Sequence, residues 1–121
     1  MKIQESGQMY LESIFLMKKK NVNVRSIDVA LFTGYSKPSV SRAMGLLKNA
    51  ELIRVSPEGY ITLTDDGERI ASEMYERHTF LTDLFMKMGV SEEIASQDAC
   101  KIEHVISDTT FQALKKFASD I

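Results

Sequence analysis

Towards its C-terminal end the chain carries Cys100-Lys101-Ile102-Glu103-His104. On a helix, positions i, i+3 and i+4 share one face. A thiolate, a carboxylate and an imidazole therefore converge within one turn, and these are three donor types that bind transition metals. The pentapeptide by itself fits two readings. One is a metal centre; the other is a buried cysteine with a glutamate and a histidine at the solvent edge. A second group of chemistry-bearing residues lies earlier in the chain. Ser36, Lys37, Pro38, Ser39, Ser41 and Arg42 crowd the start of one predicted helix. Hydroxyls and a helix N-terminus hold phosphate oxygens. Lys37 and Arg42 add charge, and the fork of Arg42 suits a guanine edge or a phosphate. Arg54, on a predicted hairpin, is placed to meet a flanking phosphate. The plainer alternative is that these residues merely cap and solvate a helix. The hairpin and the charge distribution favour DNA contact.

The elements that must position these groups follow from periodicity and punctuation. Tyr10, Ile14 and Met17 form one stripe from Gly7 to Lys20, widened by Leu11 and Phe15. Lys18-Lys19-Lys20 closes it, where cations complement the helix dipole. Asn21 is expected to break the helix. A short helix from about Ser26 to Phe32 follows, with Ile27, Ala30 and Leu31 as its expected apolar face, and Gly34 ends it. Ser36 is a good N-cap and Pro38 fits the first turn of a helix reaching about Ala50. Val40, Met44 and Leu47 face inward on it. Leu52-Ile53-Arg54-Val55 and Tyr60-Ile61-Thr62-Leu63 read as strands around the turn Ser56-Pro57-Glu58-Gly59. Thr64 caps a long helix expected to run to Met88, where Gly89 stops it. Ser91 opens another, to about Val105, and Ser107 the last, to about Ser119. Two short helices joined by a tight turn and followed by a β-hairpin describe a winged helix-turn-helix.

Composition sets the frame. The chain has 121 residues, 44% hydrophobic and 26% charged, with 2 Pro and 6 Gly. That excludes disordered, collagen-like and low-complexity classes. No apolar run approaches the roughly 18 residues of a membrane span, and the first residues do not read as a signal peptide. The single cysteine forms no internal disulfide, so a reducing cytoplasm is the expected location. The net charge of −2 hides an asymmetry. Residues 1–60 hold nine Lys/Arg against five Asp/Glu, and residues 61–121 hold six against twelve. A basic half and an acidic half suggest two jobs. No nucleophile–base set or phosphate loop is visible, so an enzyme is not expected.

Five segments taken together are similar to one family. They are Gln8-Met9-Tyr10-Leu11, Ser-Lys-Pro-Ser-Val-Ser at 36–41, Leu-Thr-Asp-Asp-Gly at 63–67, Arg77-His78, and Asp-Ala-Cys-Lys-Ile-Glu-His-Val-Ile-Ser-Asp at 98–108. In this order they resemble the diphtheria toxin repressor family of metal-dependent transcriptional regulators, which includes iron-dependent repressors and manganese transport regulators. The resemblance implies a mainly α protein. Residues 1–72 would form a winged helix-turn-helix DNA-binding domain, and residues 73–121 a helical metal-binding and dimerisation domain. The SH3-like domain of longer members is not expected.

The resemblance further implies a homodimeric repressor of operator DNA, with no membrane partner. The primary metal site of iron-type members corresponds to Met9, Cys100, Glu103 and His104. Manganese-type members usually carry Asp and Glu in place of the Met and the Cys. Thiolate and thioether favour Fe(II) over Mn(II), which leaves Mn(II) as the alternative cofactor. An ancillary site from Glu12, His78 and Glu103 is weaker. The family's nearby carboxylate and second histidine are replaced here by Thr82 and Ser96, and a structural hydrogen bond is the competing role for Glu12 and His78. Val105, Phe111, Leu114 and Phe117 are the candidate dimer-interface residues, the alternative being that some of them simply fill the protomer core. In the family, bound metal orders the first helix and sets the spacing of the recognition helices. A metal-independent winged-helix regulator is the remaining alternative.

Overall fold

The computed structural model describes residues 5–20 and 23–120. Asn21, the expected helix breaker, lies outside the described residues. Two compact units make up the chain, Met1–Ser72 and Glu73–Ile121. The elements run α1 (Glu5–Lys20), α2 (Ser26–Thr33), α3 (Lys37–Asn49), β1 (Ile53–Val55), β2 (Ile61–Leu63), α4 (Asp65–Lys87), α5 (Glu92–Ile102) and α6 (Asp108–Ser119). No helix among the described residues is long and apolar enough to cross a membrane.

In the first unit the core forms around Leu11 and Ile14 of α1, Val29 of α2, Val40, Met44 and Leu47 of α3, and Ile53 and Ile61 of the hairpin. The α1 and α3 stripes bury as their periodicity demands. The α2 face differs from expectation. Val29 and Ala30 are buried, whereas Ile27 is 47% and Leu31 79% exposed. This helix is apolar on every side, so its period did not select a face, and the helix docks through Val29 and Ala30.

The turn between α2 and α3 is made by Gly34, whose φ of +78° closes α2 in the left-handed conformation. Glycine adopts that conformation at little steric cost. Ser36 Oγ then accepts from the Ser39 amide at 3.3 Å and opens α3. The two strands pair antiparallel, with Arg54 opposite Thr62. Their turn is closed by the Ser56 amide on the Tyr60 carbonyl at 2.9 Å, and the Arg25 guanidinium stacks 4.6 Å from the Tyr60 ring centre. The Ile61 amide donates to the Val24 carbonyl at 2.7 Å, which ties the hairpin to the segment before α2.

Thr64 caps α4 as expected. Its Oγ1 accepts from the Gly67 amide at 3.1 Å and donates to the Glu51 carbonyl at 2.8 Å. Gly67 has no room for a side chain, because a Cβ there would lie 2.0 Å from the Leu52 carbonyl oxygen. The Leu-Thr-Asp-Asp-Gly segment is thus a tight strand-to-helix junction.

In the second unit Ser91 caps α5 by accepting from Ile94, and Ser107 caps α6 by accepting from Thr110 at 3.1 Å. The end of α5 is a second departure. It was expected to reach Val105 but stops at Ile102, and the chain tightens into a turn with the Val105 amide on the Ile102 carbonyl at 3.0 Å. Phe111 is a third. It was expected at a dimer interface, yet it is 2% exposed within its own unit, edge-to-face with Phe80 at 5.6 Å between ring centres. The Arg77 guanidinium covers the same ring at 5.4 Å. Val105 and Phe117, by contrast, are 64% and 67% exposed, and Leu114 is half-buried.

Candidate metal centre and nucleic-acid interface

The metal-ligand motif survives the early end of α5. Glu103 is the helix C-cap and keeps right-handed helical dihedrals, φ −56° and ψ −28°. The i, i+3, i+4 relation from Cys100 is therefore retained across the helix end. One donor atom from each of Cys100, Glu103 and His104 lies within 4.8 Å of the others. Metal–ligand bonds of about 2.0–2.3 Å place neighbouring donors roughly 3–4.5 Å apart. The set therefore fits a divalent transition metal with small side-chain adjustments. Cys100 is exposed, Glu103 is fully buried, and the His104 side chain is 8% exposed.

A buried carboxylate is costly unless it is paired and hydrogen-bonded. Glu103 meets that condition through a hydrogen-bonding contact with His78, and His104 lies beside its other oxygen. Its Oε2 lies 2.9 Å from His78 Nδ1, and its Oε1 lies 3.2 Å from His104 Nε2. The other ring nitrogen of His78 is 3.3 Å from Ser96 Oγ. Sequence reasoning took Ser96 only as the replacement of a family histidine. Its spacing shows the pairing after the fact, since Ser96 and Glu103 lie seven residues, or two helical turns, apart on one face of α5.

The backbone of the motif is held from α4. Arg77 donates to the Glu103 carbonyl at 3.0 Å and to the Ile106 carbonyl at 2.8 Å, and its guanidinium lies 3.8 Å from Asp108. The last carbonyls of a helix lack intrahelical partners, and this side chain supplies them. Sequence reasoning noted Arg77 only within a family motif and missed this role.

The other two residues named for metal lie on α1, in the first unit. Met9 is half-buried, and Ser13 donates to its carbonyl at 2.9 Å with the same hydroxyl 3.6 Å from Sδ. Glu12 is buried, 8% exposed.

On the first unit, Ser36, Lys37, Pro38, Ser39, Ser41 and Arg42 are all exposed around the start of α3. The Ser36 hydroxyl donates to Ser39 Oγ at 2.9 Å, so these two hydroxyls are held together at the helix N-terminus. Arg54 projects from the outer face of β1, where the burial pattern alternates. Two helices, a tight turn and a two-stranded wing present these groups on one unit, the architecture of a winged-helix regulator.

Comparison with known proteins agrees. The family described as iron dependent repressor, metal binding and dimerisation domain matches residues 64–121. The transcriptional regulator MntR of Escherichia coli O157:H7 is 34% identical over 108 residues, covering 89% of this chain and 70% of that protein. The iron-dependent repressor IdeR of Mycobacterium bovis is 26% identical over 113 residues, 93% of this chain and 49% of its own. The structure of the manganese regulator SloR superposes with a TM-score of 0.83 at 22% identity, over 98% of this chain and 55% of that one. The chain thus spans about half the length of IdeR and SloR. It belongs to the diphtheria toxin repressor family of metal-dependent transcriptional regulators. That family is one of regulators rather than enzymes.

Proposed function

We propose that the chain is an Fe(II)-responsive repressor that binds double-stranded operator DNA as a homodimer in the cytoplasm. The observation that carries this reading is the convergence of the Cys100, Glu103 and His104 donors within 4.8 Å. Met9 completes the primary ligand set on the strength of the family resemblance. Cys100, Glu103 and His104 would hold a divalent cation, whose positive charge would offset that of the buried carboxylate and the thiolate. The thiolate of Cys100, with the thioether of Met9, biases the set towards Fe(II) over Mn(II).

Lys37, Arg42 and Arg54 neutralise phosphates, and the Ser36, Ser39 and Ser41 hydroxyls with Pro38 seat the start of α3 in the major groove. Exposed Val105 and Phe117, with half-buried Leu114, are the residues of the second unit we assign to self-association. Regulation requires only that metal favour the DNA-competent state over the other. A coupling of about 1–3 kcal/mol changes operator affinity roughly 5–150-fold.

The test is anaerobic selection from a pool of random duplex DNA with Fe(II), with Mn(II) and with chelator, at fixed salt. Retention of a palindromic sequence with metal, more potently with Fe(II), is the expected result. Greater potency of Mn(II) would reassign the cofactor. Equal binding in chelator would leave a metal-independent winged-helix regulator.

A further inference from the structure

Arg25 sits where the wing meets the helix-turn-helix. The Ile61 amide donates to the Val24 carbonyl at 2.7 Å, so the chain just before α2 runs along β2 on the side away from β1. Val24 and Ile61 are buried, and successive side chains of an extended chain point to opposite faces. Arg25, Tyr60, Thr62 and Arg54 therefore share the outer face of the hairpin, with Arg54 opposite Thr62. Arg25, Thr62 and Arg54 are exposed, and Tyr60 is half-buried, its ring centre 4.6 Å from the Arg25 guanidinium. Among the described residues no carboxylate forms an ion pair with Arg25 or Arg54. The Asp28 carboxylate accepts from the Arg25 amide at 2.9 Å and so serves the start of α2 rather than the guanidinium.

We propose that Arg25 is a contact to the phosphate backbone of duplex DNA and that Tyr60 is its positioning residue. The inference deepens the DNA-binding reading above and rests on it. In a helix-turn-helix the first helix crosses the phosphate backbone while the second enters the major groove, and Arg25 immediately precedes α2. A guanidinium that stacks by its face on a ring keeps its N–H edge for a phosphate, which it grips through two parallel bonds. The ring also narrows the conformations of a long side chain before DNA arrives, which lowers the ordering cost of binding. With Arg54 across β2, Arg25 gives the outer face of the wing two cations whose charge complements that of a duplex.

The experiment titrates the full chain, anaerobically with Fe(II), against a random-sequence duplex and the duplex retained in the selection above, at several salt concentrations. Arg25→Gln keeps the backbone amide and removes the charge. It should weaken binding to both duplexes to a similar degree and reduce the slope of log K against log salt by about 1. Tyr60→Leu, which removes the ring, should weaken binding about 2–5-fold, the size of an exposed cation–π contact. Tyr60→Phe, which keeps the ring, should bind like the wild type. In the Arg25→Gln background Tyr60→Leu should cost nothing more, because its effect passes through Arg25. An unchanged slope in Arg25→Gln, or the full Tyr60→Leu loss persisting in the double variant, would overturn the proposal. A reduced slope in Arg54→Ala alongside either result would leave the DNA face standing. Failure of the wild-type chain to bind either duplex would overturn the DNA reading itself, and the role of Arg25 with it.

Discussion

Arg77 on α4 holds the backbone carbonyl of Glu103, the residue that ends α5. The contact joins two segments 26 residues apart and fixes the main chain on which two of the three converging donors sit. Because the same guanidinium also reaches the Ile106 carbonyl, it brackets the turn that carries His104.

Removing this bracket should be expensive. The Arg77 side chain is 13% exposed, and its loss strands two carbonyls whose charge-assisted bonds are worth about 1.5–3 kcal/mol each before water compensates. Arg77→Ala should therefore lower the stability of the chain by about 2–3 kcal/mol, read as a shift in the urea midpoint. Arg77→Lys should recover only part: one guanidinium nitrogen, Nη1, holds both carbonyls, but an ammonium loses the second nitrogen beside Asp108 and the planar group that covers the Phe111 ring. A change below about 0.5 kcal/mol, the usual size for surface sites, would show that solvent replaces the bracket.

Cys100→Ala should abolish thiolate-to-cobalt absorption and the metal dependence of DNA binding. Cys100 is exposed, so the fold should tolerate the change and thermal unfolding without metal should move little. Full metal-dependent binding by this variant would refute the assignment of Cys100 as a ligand.

The DNA face should separate into phosphate and base contributions. Arg54→Ala should weaken binding about equally across sequences and reduce the slope of log K against log salt by about 1. Arg42→Ala should do the same if it clamps phosphate, or relax preference at one base pair by about 1–3 kcal/mol if it reads guanine. Titrations at several salt concentrations with matched and mismatched duplexes distinguish these outcomes. An unchanged salt slope in both variants would move the interface elsewhere.

Alkaline stability should depend on Tyr10. Burial, reinforced by Tyr35 nearby, holds its phenol above the ordinary value of 10.0. The two rings meet edge-on at 5.9 Å between centres. The folded state thus favours the neutral phenol. Its contribution is complete below pH 10 and is lost as the pH rises through the raised folded value. Tyr10→Phe should flatten the fall in stability above pH 10, followed by denaturant unfolding at a series of pH values. Identical slopes for the two chains would remove Tyr10 as the cause.

Gly67→Ala should be among the most damaging single changes in the first unit. Its Cβ would have to displace the Leu52 carbonyl, which is backbone rather than a flexible side chain. A loss of at least about 1–3 kcal/mol, the usual cost of overpacking, is expected in thermal or urea unfolding. Near-neutral behaviour would mean that the α4 junction shifts freely.

Local rules made most of the architecture legible. Ser36, Thr64, Ser91 and Ser107 each cap the helix they were expected to open, because a cap is a short-range bargain between one side chain and the next turn. The hairpin was equally readable from its turn residues. Where tertiary contacts decide, sequence reasoning went astray. The apolar residues of α2 surround the helix, so only its neighbours determine that Val29 and Ala30 go inward. The end of α5 depends on Arg77, 25 residues before Ile102, and the fate of Phe111 depends on Phe80 and Arg77 on α4. The motif at 100–104 was found because its spacing is local. The pairing of Ser96 with His78 was not, because it crosses between helices.

Phe111 and Phe117 lie six residues apart on α6, and at about 100° per residue their side chains diverge by roughly 120°. One is sealed in the interior, and the other is two-thirds exposed. Different physical constraints therefore act on two phenylalanines of one short helix. Substitutions at 111 will be judged by whether the protomer survives. Those at 117 fall on a side chain that faces solvent, so they change the surface of α6 without reaching into the core.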